Sequence, residues 1–173
     1  KMNLTDLKKI YIYVLYREIE NMVRYAESNI IHEAQKNVII IENLIKKYNA
    51  DFTIINGENS ADGFGILPAA ADQFFQNGAD VITSGNHIWQ KPEIFPYMEE
   101  HENIIRPANF PPGAPGHGYC TVEKKNVKLA VINLQGRENM VSIDCPFRTV
   151  KDILKKVRKE TPLVFVDFHA ETP

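Results

Sequence analysis

Asp51–Gln90 constrains this chain more than any other stretch. Its sequence, DFTIINGENSADGFGILPAAADQFFQNGADVITSGNHIWQ, holds two short apolar runs separated by one helix-length segment. Phe52–Asn56 and Asp80–Ser84 are β-branched and almost continuously hydrophobic, the signature of strands buried on both faces of a parallel sheet. The segment between them opens with Pro68, carries Ala69, Ala70, Ala71, Phe74 and Phe75, and stops at Asn77-Gly78. Proline in a first turn and Asn-Gly at an end are ordinary helix boundaries. The stretch therefore reads as a β-α-β unit, whose crossover is nearly always right-handed, so that both following loops emerge on one rim. Ligand sites of open α/β sheets form on that rim. Glu58-Asn59 and Asn86-His87 are thereby expected to converge.

Composition bounds what such a rim can serve. At 173 residues the chain fits one domain able to bury a proper core, with 44% hydrophobic and 24% charged residues. A net charge of −2 gives no electrostatic case for nucleic acid or an anionic membrane. Cys120 and Cys145 form no C-x-x-C pair, so a zinc knuckle or redox motif is not suggested, and a reducing cytoplasm is the simplest compartment. No apolar run reaches the roughly 18 residues of a membrane span, and no signal-peptide pattern opens the chain.

The remaining segments fall in a legible order. Lys9–Tyr16 alternates like a strand, Arg17–Ser28 has amphipathic-helix spacing, and Asn37–Tyr48 is a clearer helix. A short helix is predicted after Lys91-Pro92-Glu93, limited or bent by Pro96. Ile104-Ile105 reads as a brief strand. Pro107–Gly118, with four prolines and three glycines, reads as an ordered connection rather than a lid. Gly118–Glu123 and Val127–Asn133 form a predicted hairpin through Lys124-Lys125-Asn126, Phe147–Lys159 an amphipathic helix, and Leu163–Phe168 a further buried strand.

Four apolar strands are thus each followed by polar residues: Glu58-Asn59, Asn86-His87, Gln135-Gly136-Arg137 and His169-Ala170-Glu171. Carboxylate and amide oxygens with imidazole nitrogen suit manganese, iron or zinc better than soft thiolate chemistry. Two such ions about 3.5–4 Å apart clamp phosphoryl groups in many phosphatases. The other polar residues have plain structural readings. His32, His101 and His117 are read as hydrogen-bonded structural histidines, Arg106, Arg137 and Arg148 as surface ion-pairing residues, and Cys145 as a small buried hydrophobe. Gly57, Gly63 and Gly65 match neither a P-loop nor a dinucleotide fingerprint and are read as permitting close backbone approach near the site.

NGENSADGFGI, SGNHIW, RPANFPPGAPGHGY, VINLQGR, DCPF and VDFHAE, in this order, resemble the YmdB-like branch of the calcineurin-type metallophosphoesterases over about Asn37 to Glu171. The resemblance implies a calcineurin-like metallophosphoesterase α/β sandwich and a dinuclear centre of two divalent or trivalent ions, iron or manganese first and zinc next. It further implies a cytoplasmic phosphodiesterase acting on small phosphoesters such as 2′,3′-cyclic nucleotides, 2′,3′-cAMP among them. By motif, it assigns Glu58 as a bridging carboxylate, Asn59, Asn86 and His169 as metal ligands, and His87 as the catalytic histidine. Gln90 stands where an acidic residue often follows the tryptophan.

Two departures from the family pattern shape the expected domain layout. Residues 1–36 are read as a divergent N-terminal segment without the family's Gly-Asp, Glu27 being the residue at the corresponding spacing. Residues 37–173 are read as the N-terminal half of a metallophosphoesterase domain, the second half of the family fold, with its Gly-x-His-x-His loop, being absent from this chain. An apolar face or edge normally covered by that half is expected to be exposed, and self-association into a homo-oligomer would cover it. Two further readings stand beside the enzyme: a catalytically impaired relative serving as a binding or regulatory module, and an unrelated doubly wound nucleotide-binding domain, against which the ordered motifs argue.

Overall fold

The computed structural model describes residues 41–171. The expected Lys9–Tyr16 strand, the Arg17–Ser28 helix, Glu27 and His32 lie outside the described residues. Of the expected Asn37–Tyr48 helix, residues 41–48 are described and are helical (α1).

β-branched residues build the first sheet. β1 (Ile54–Asn56) and β2 (Val81–Thr83) pair in parallel, Ile54 opposite Val81 and Asn56 opposite Thr83. Between them runs α2 (Pro68–Gln76), with Pro68 at its start and Asn77 as its C-terminal cap. Gly78 follows with φ +99°, a conformation that glycine adopts at little cost. The predicted parallel β-α-β unit is present in full. Ile104 and Ile105 continue the sheet through isolated bridges to Ile82 and His117.

The second sheet has the order β3-β4-β5. β3 (Tyr119–Lys124) and β4 (Val127–Gln135) form the predicted hairpin. Its turn is tighter than the sequence suggested: Lys125 (φ 50°) and Asn126 (φ 64°) alone make it, and Lys124 stays in the strand opposite Val127. Left-handed conformations at both turn residues match the right-handed twist of the strands. β5 (Val164–His169) runs parallel to β4.

Strand alternation sorts the core into layers. On β4, Leu129 and Val131 point toward the first sheet and pack with Phe52, Ile54, Val81, Ile105 and Cys120. Ala130, Ile132 and Leu134 point the other way, against Ile153 and Val157 of α4 (Pro146–Val157). On the far side of the first sheet, Ile82 and Ile104 pack with Ile66, Ala71, Ile88, Ile94 and Met98 from α2, α3 (Ile94–Glu100) and the neighbouring turns. The result is a helix–sheet–sheet–helix sandwich.

Several local expectations need correction. The short helix expected after Lys91-Pro92-Glu93 is α3, with Pro96 third in it, where a backbone N–H has no intrahelical partner in any case. Arg106 is buried rather than a surface ion-pairing residue. Its guanidinium donates to the carbonyls of Pro107 (2.9 Å), Ala114 (3.3 Å) and Pro115 (3.3 Å), and so holds the proline-rich connection in place. His101 follows the structural reading, with Nδ1 2.9 Å from the Tyr97 carbonyl and its ring stacked on Tyr97. Cys145 is only half-buried, at the N-cap position of α4. β5 has one strand neighbour among the described residues, and Val166 and Phe168 are exposed along it, with Phe147 beside Phe168.

This packing has two measurable consequences. Ile82 is fully buried at the centre of the first sheet, so Ile82→Ala is expected to lower stability by about 2–5 kcal/mol in urea unfolding. The cysteines should differ in reactivity: burial pushes the Cys120 thiol up to about 12, with the Glu102 charge adding to this. The backbone N–H of Arg148 leads the influences that hold the Cys145 thiol below its ordinary value, helped by Phe147 and the charges of Arg137 and Arg148. Iodoacetamide on the folded chain should therefore label Cys145 with a half-maximal rate below about pH 9 and leave Cys120 unmodified at that pH, as read by peptide mass mapping.

Candidate metal and catalytic site

Parallel pairing of β1 and β2 sends their following segments out on the same side. After β1 the chain turns at Gly57, whose N–H donates to the Thr83 carbonyl (2.9 Å), and presents Glu58 and Asn59. After β2, Ser84-Gly85 leads into a 3-10 turn, Asn86–Gln90, which presents Asn86 and His87. The parallel β4–β5 pair brings His169, the last residue of β5, to the same rim. All five residues expected from the sequence meet there.

Glu58 is the centre of the cluster. Its carboxylate has no solvent exposure, and Oε1 accepts the backbone N–H of His87 (3.0 Å). Gly85 lies against it so closely that any Cβ there would collide with the carboxylate. Of the glycines the sequence pointed to, Gly65 (φ +75°) lies against the His87 carbonyl, where a Cβ would come within 2.8 Å, while Gly57 packs on Ile66 and Ile82 and Gly63 meets nothing; Gly85 is the further glycine that touches Glu58 itself. His169 Nδ1 lies 2.9 Å from Glu58 Oε2. Oε2 is buried, and the His169 ring is the polar group that faces it among the described residues.

The remaining donors are close by. His169 Nε2 is 2.8 Å from Asn86 Oδ1, so both ring nitrogens face oxygen atoms. Burial is the largest influence on this ring and favours the neutral form. Contact with Glu58, that carboxylate's charge and the charges of Asp167 and Glu171 together outweigh it, and the pKa of His169 is raised. His87 Nδ1 is 2.9 Å from Asn59 Oδ1 and 3.9 Å from Glu58 Oε1. A carbonyl oxygen only accepts, so this contact puts a proton on Nδ1 and leaves Nε2 open. Phe64 packs edge-on against the His87 ring at 4.9 Å. Asn59, not the exposed Gln90, is the side chain that orients His87.

Residues outside the predicted set hold this arrangement. Asn56 Oδ1 accepts the N–H of Glu58 (3.1 Å), while its Nδ2 donates to Asp167 Oδ2 across the sheets (3.0 Å). Asn133 Oδ1 accepts the N–H of Ser84 (3.1 Å), and Ser84 Oγ donates to the Ile105 carbonyl (3.0 Å). The sequence signal for these residues is an asparagine and an aspartate interrupting apolar strands, in VINLQ and VFVDF. Buried strand positions take polar side chains only when partners are waiting.

The donor set fits a metal ion. Carboxylate, amide and imidazole donors lie together here, His169 being 2.9 Å from Glu58 through Nδ1 and 2.8 Å from Asn86 through Nε2, and such donors suit manganese, iron or zinc. A fully buried carboxylate oxygen faced only by an imidazole among the described residues is a group a cation would satisfy. Among the described residues, no three His, Cys, Asp or Glu side chains gather at metal-binding spacing, so the asparagine amides would have to complete the coordination.

Known proteins share this fold and sequence. Residues 33–173 match the family model described as YmdB-like protein. Over 131 residues the chain is 47% identical to the 2′,3′-cyclic-nucleotide 2′-phosphodiesterase of Bacillus subtilis, covering 76% of this chain and 50% of that protein. A hypothetical protein from Thermus thermophilus superposes with a TM-score of 0.72 at 31% identity, covering 80% of this chain and 53% of the other. A phosphatase from Mycoplasma pneumoniae superposes with a TM-score of 0.68 at 29% identity, covering 78% and 51%. The chain spans about half the length of the curated relatives it matches. Its fold is the metallophosphoesterase-type α/β sandwich, and the chain belongs to the YmdB-like family.

Proposed function

We propose that residues 37–173 are the N-terminal half of a metal-dependent phosphodiesterase domain that hydrolyses small phosphoesters, 2′,3′-cyclic nucleotides such as 2′,3′-cAMP foremost. The observation that carries this reading is the Glu58 carboxylate, fully buried with only the His169 ring facing Oε2 among the described residues and with Asn86, His87 and Asn59 gathered around it. The name of the Bacillus subtilis relative supports the substrate class.

Each side chain has a role in this reading. Glu58, Asn86 and His169 would hold iron or manganese, with Asn59 contributing its second lone pair and zinc as the next candidate. A bound ion would supply Lewis-acid polarisation and a water activated near neutral pH. His169 gives up a proton to take part, since its two nitrogens cannot both keep hydrogen and ligate. His87, fixed through Nδ1 by Asn59, would use Nε2, whose protonated form can deliver a proton to the leaving oxygen. Self-association along the β5 edge and a cytoplasmic location complete the proposal, the former resting on the exposed Val166, Phe168 and Phe147. No helix among the described residues is long and apolar enough to cross a membrane. The sparse acidic and histidine ligand set favours a second reading, a binding or regulatory module that retains the fold.

Two measurements separate these readings. Chain purified without chelator should contain metal by elemental analysis and hydrolyse 2′,3′-cAMP and bis-p-nitrophenyl phosphate after manganese or iron addition. Metal-free, inactive protein would leave only the binding module. His87→Ala should then lower kcat by about 10²–10⁴-fold with metal content retained, whereas Glu58→Gln should weaken metal binding by at least about 100-fold. Equal loss of metal in both variants would remove His87 from the catalytic role.

A further inference from the structure

Gln135 is fully buried at the carboxyl end of β4, and neither end of its carboxamide has a hydrogen-bond partner among the described residues. Burying both an N–H₂ donor and a carbonyl acceptor unpaired is disfavoured, so a group beyond the described residues is the natural partner. Where that amide points follows from the sheet. Gln135 and His169 are register partners on parallel strands, as are Asn133 and Asp167 one pleat earlier. Register partners in a parallel pair share a face. Asn133 and Asp167 both reach across to the first sheet, to Ser84 and Asn56, and His169 reaches Glu58 and Asn86. Gln135 therefore stands on the site face, directly beside His169.

The backbone of Gln135 is fixed at both polar groups. Its N–H donates to Asn109 Oδ1 (2.9 Å) and its carbonyl accepts from Asn109 Nδ2 (2.8 Å), while the next residue, Gly136, donates to the His169 carbonyl (2.7 Å). Such clamping makes the side-chain direction part of the fold. The neighbourhood is also rich in acceptors: the oxygens of Glu58, Asn59, Asn86 and Asp167 already crowd this rim. What an anionic oxygen entering there lacks is a neutral N–H donor.

We propose that Gln135 is a further residue of the site, its Nε2 amide donating to a phosphoryl oxygen held beside His169. The inference rests on the metallophosphoesterase reading above. Being uncharged, the amide would bind a phosphoryl group without competing with a cation for the carboxylate.

The test compares wild type with Gln135→Leu and Gln135→Glu in three readouts: melting temperature in chelator, manganese binding, and calorimetric titration of the manganese-loaded chain with inorganic phosphate. Gln135→Leu should melt no lower than wild type, since the unpaired groups are gone, and should bind manganese within about twofold of wild type. Its phosphate affinity should fall about tenfold or more, the loss of one hydrogen bond to a charged group. Gln135→Glu should lose phosphate binding at least as far through repulsion while its manganese affinity is not weakened. Unchanged phosphate affinity in both variants, with manganese still bound by wild type, would overturn the role of Gln135 and leave the metal site standing. A Gln135→Leu melting temperature several degrees lower in chelator would also overturn it, since the amide would then be structural. A wild-type chain that takes up no manganese would overturn both readings.

Discussion

The burial of one carboxylate organises this protein. Glu58 has no exposed surface, and an ionised carboxylate removed from water is costly unless charge and hydrogen bonds surround it. Within the described residues two groups answer that demand, the His87 N–H at Oε1 and the His169 ring beside Oε2, while Gly85 packs so closely that no larger residue fits. Removal of one partner leaves the charge stranded. The loops after β1 and β2 and the end of β5 are thus mutually dependent, although they lie far apart in sequence.

Around that charge the two sheets are bolted together by amides. Asn56 reaches Asp167, and Asn133 receives the Ser84 N–H while its Nδ2 lies 3.4 Å from the Asp167 carbonyl. Asparagine suits this position because one side chain offers both donor and acceptor without adding charge to an already crowded rim. Below these links the sandwich core is wholly apolar, Leu129 and Val131 meeting Ile54 and Val81. The polar layer sets register and the apolar layer supplies the driving force.

The sequence revealed the site through pattern. Short β-branched runs ending in Glu-Asn and Asn-His, spaced by one helix, are sufficient to place Glu58, Asn59, Asn86 and His87 on one rim, and β1, α2 and β2 lie where that pattern puts them. What the sequence hides depends on long-range burial. Arg106 reads as a surface residue because nothing local shows that three loop carbonyls wrap its guanidinium. Cys145 reads as buried because its exposure depends on where α4 begins. Asn56 and Asp167 look like strand ends and interruptions until their partner sheet is in place. The hairpin turn differs from its expected extent by one residue, since left-handed Lys125 carries no glycine or asparagine signal of its own.

The Asn56–Asp167 link closes a loop of 111 residues. Loop-closure entropy grows with length, and contacts so distant along the chain form only after local structure has reduced the search. The β1-α2-β2 unit and the β3-β4 hairpin are each locally connected, so each can be consolidated early. The rim is different, because it exists only once β5 has docked. Glu58 is synthesised well before His169, and until the last strand arrives the carboxylate is free to remain hydrated. Burial of the charge, and with it any capacity to hold a cation, is therefore coupled to completion of the second sheet.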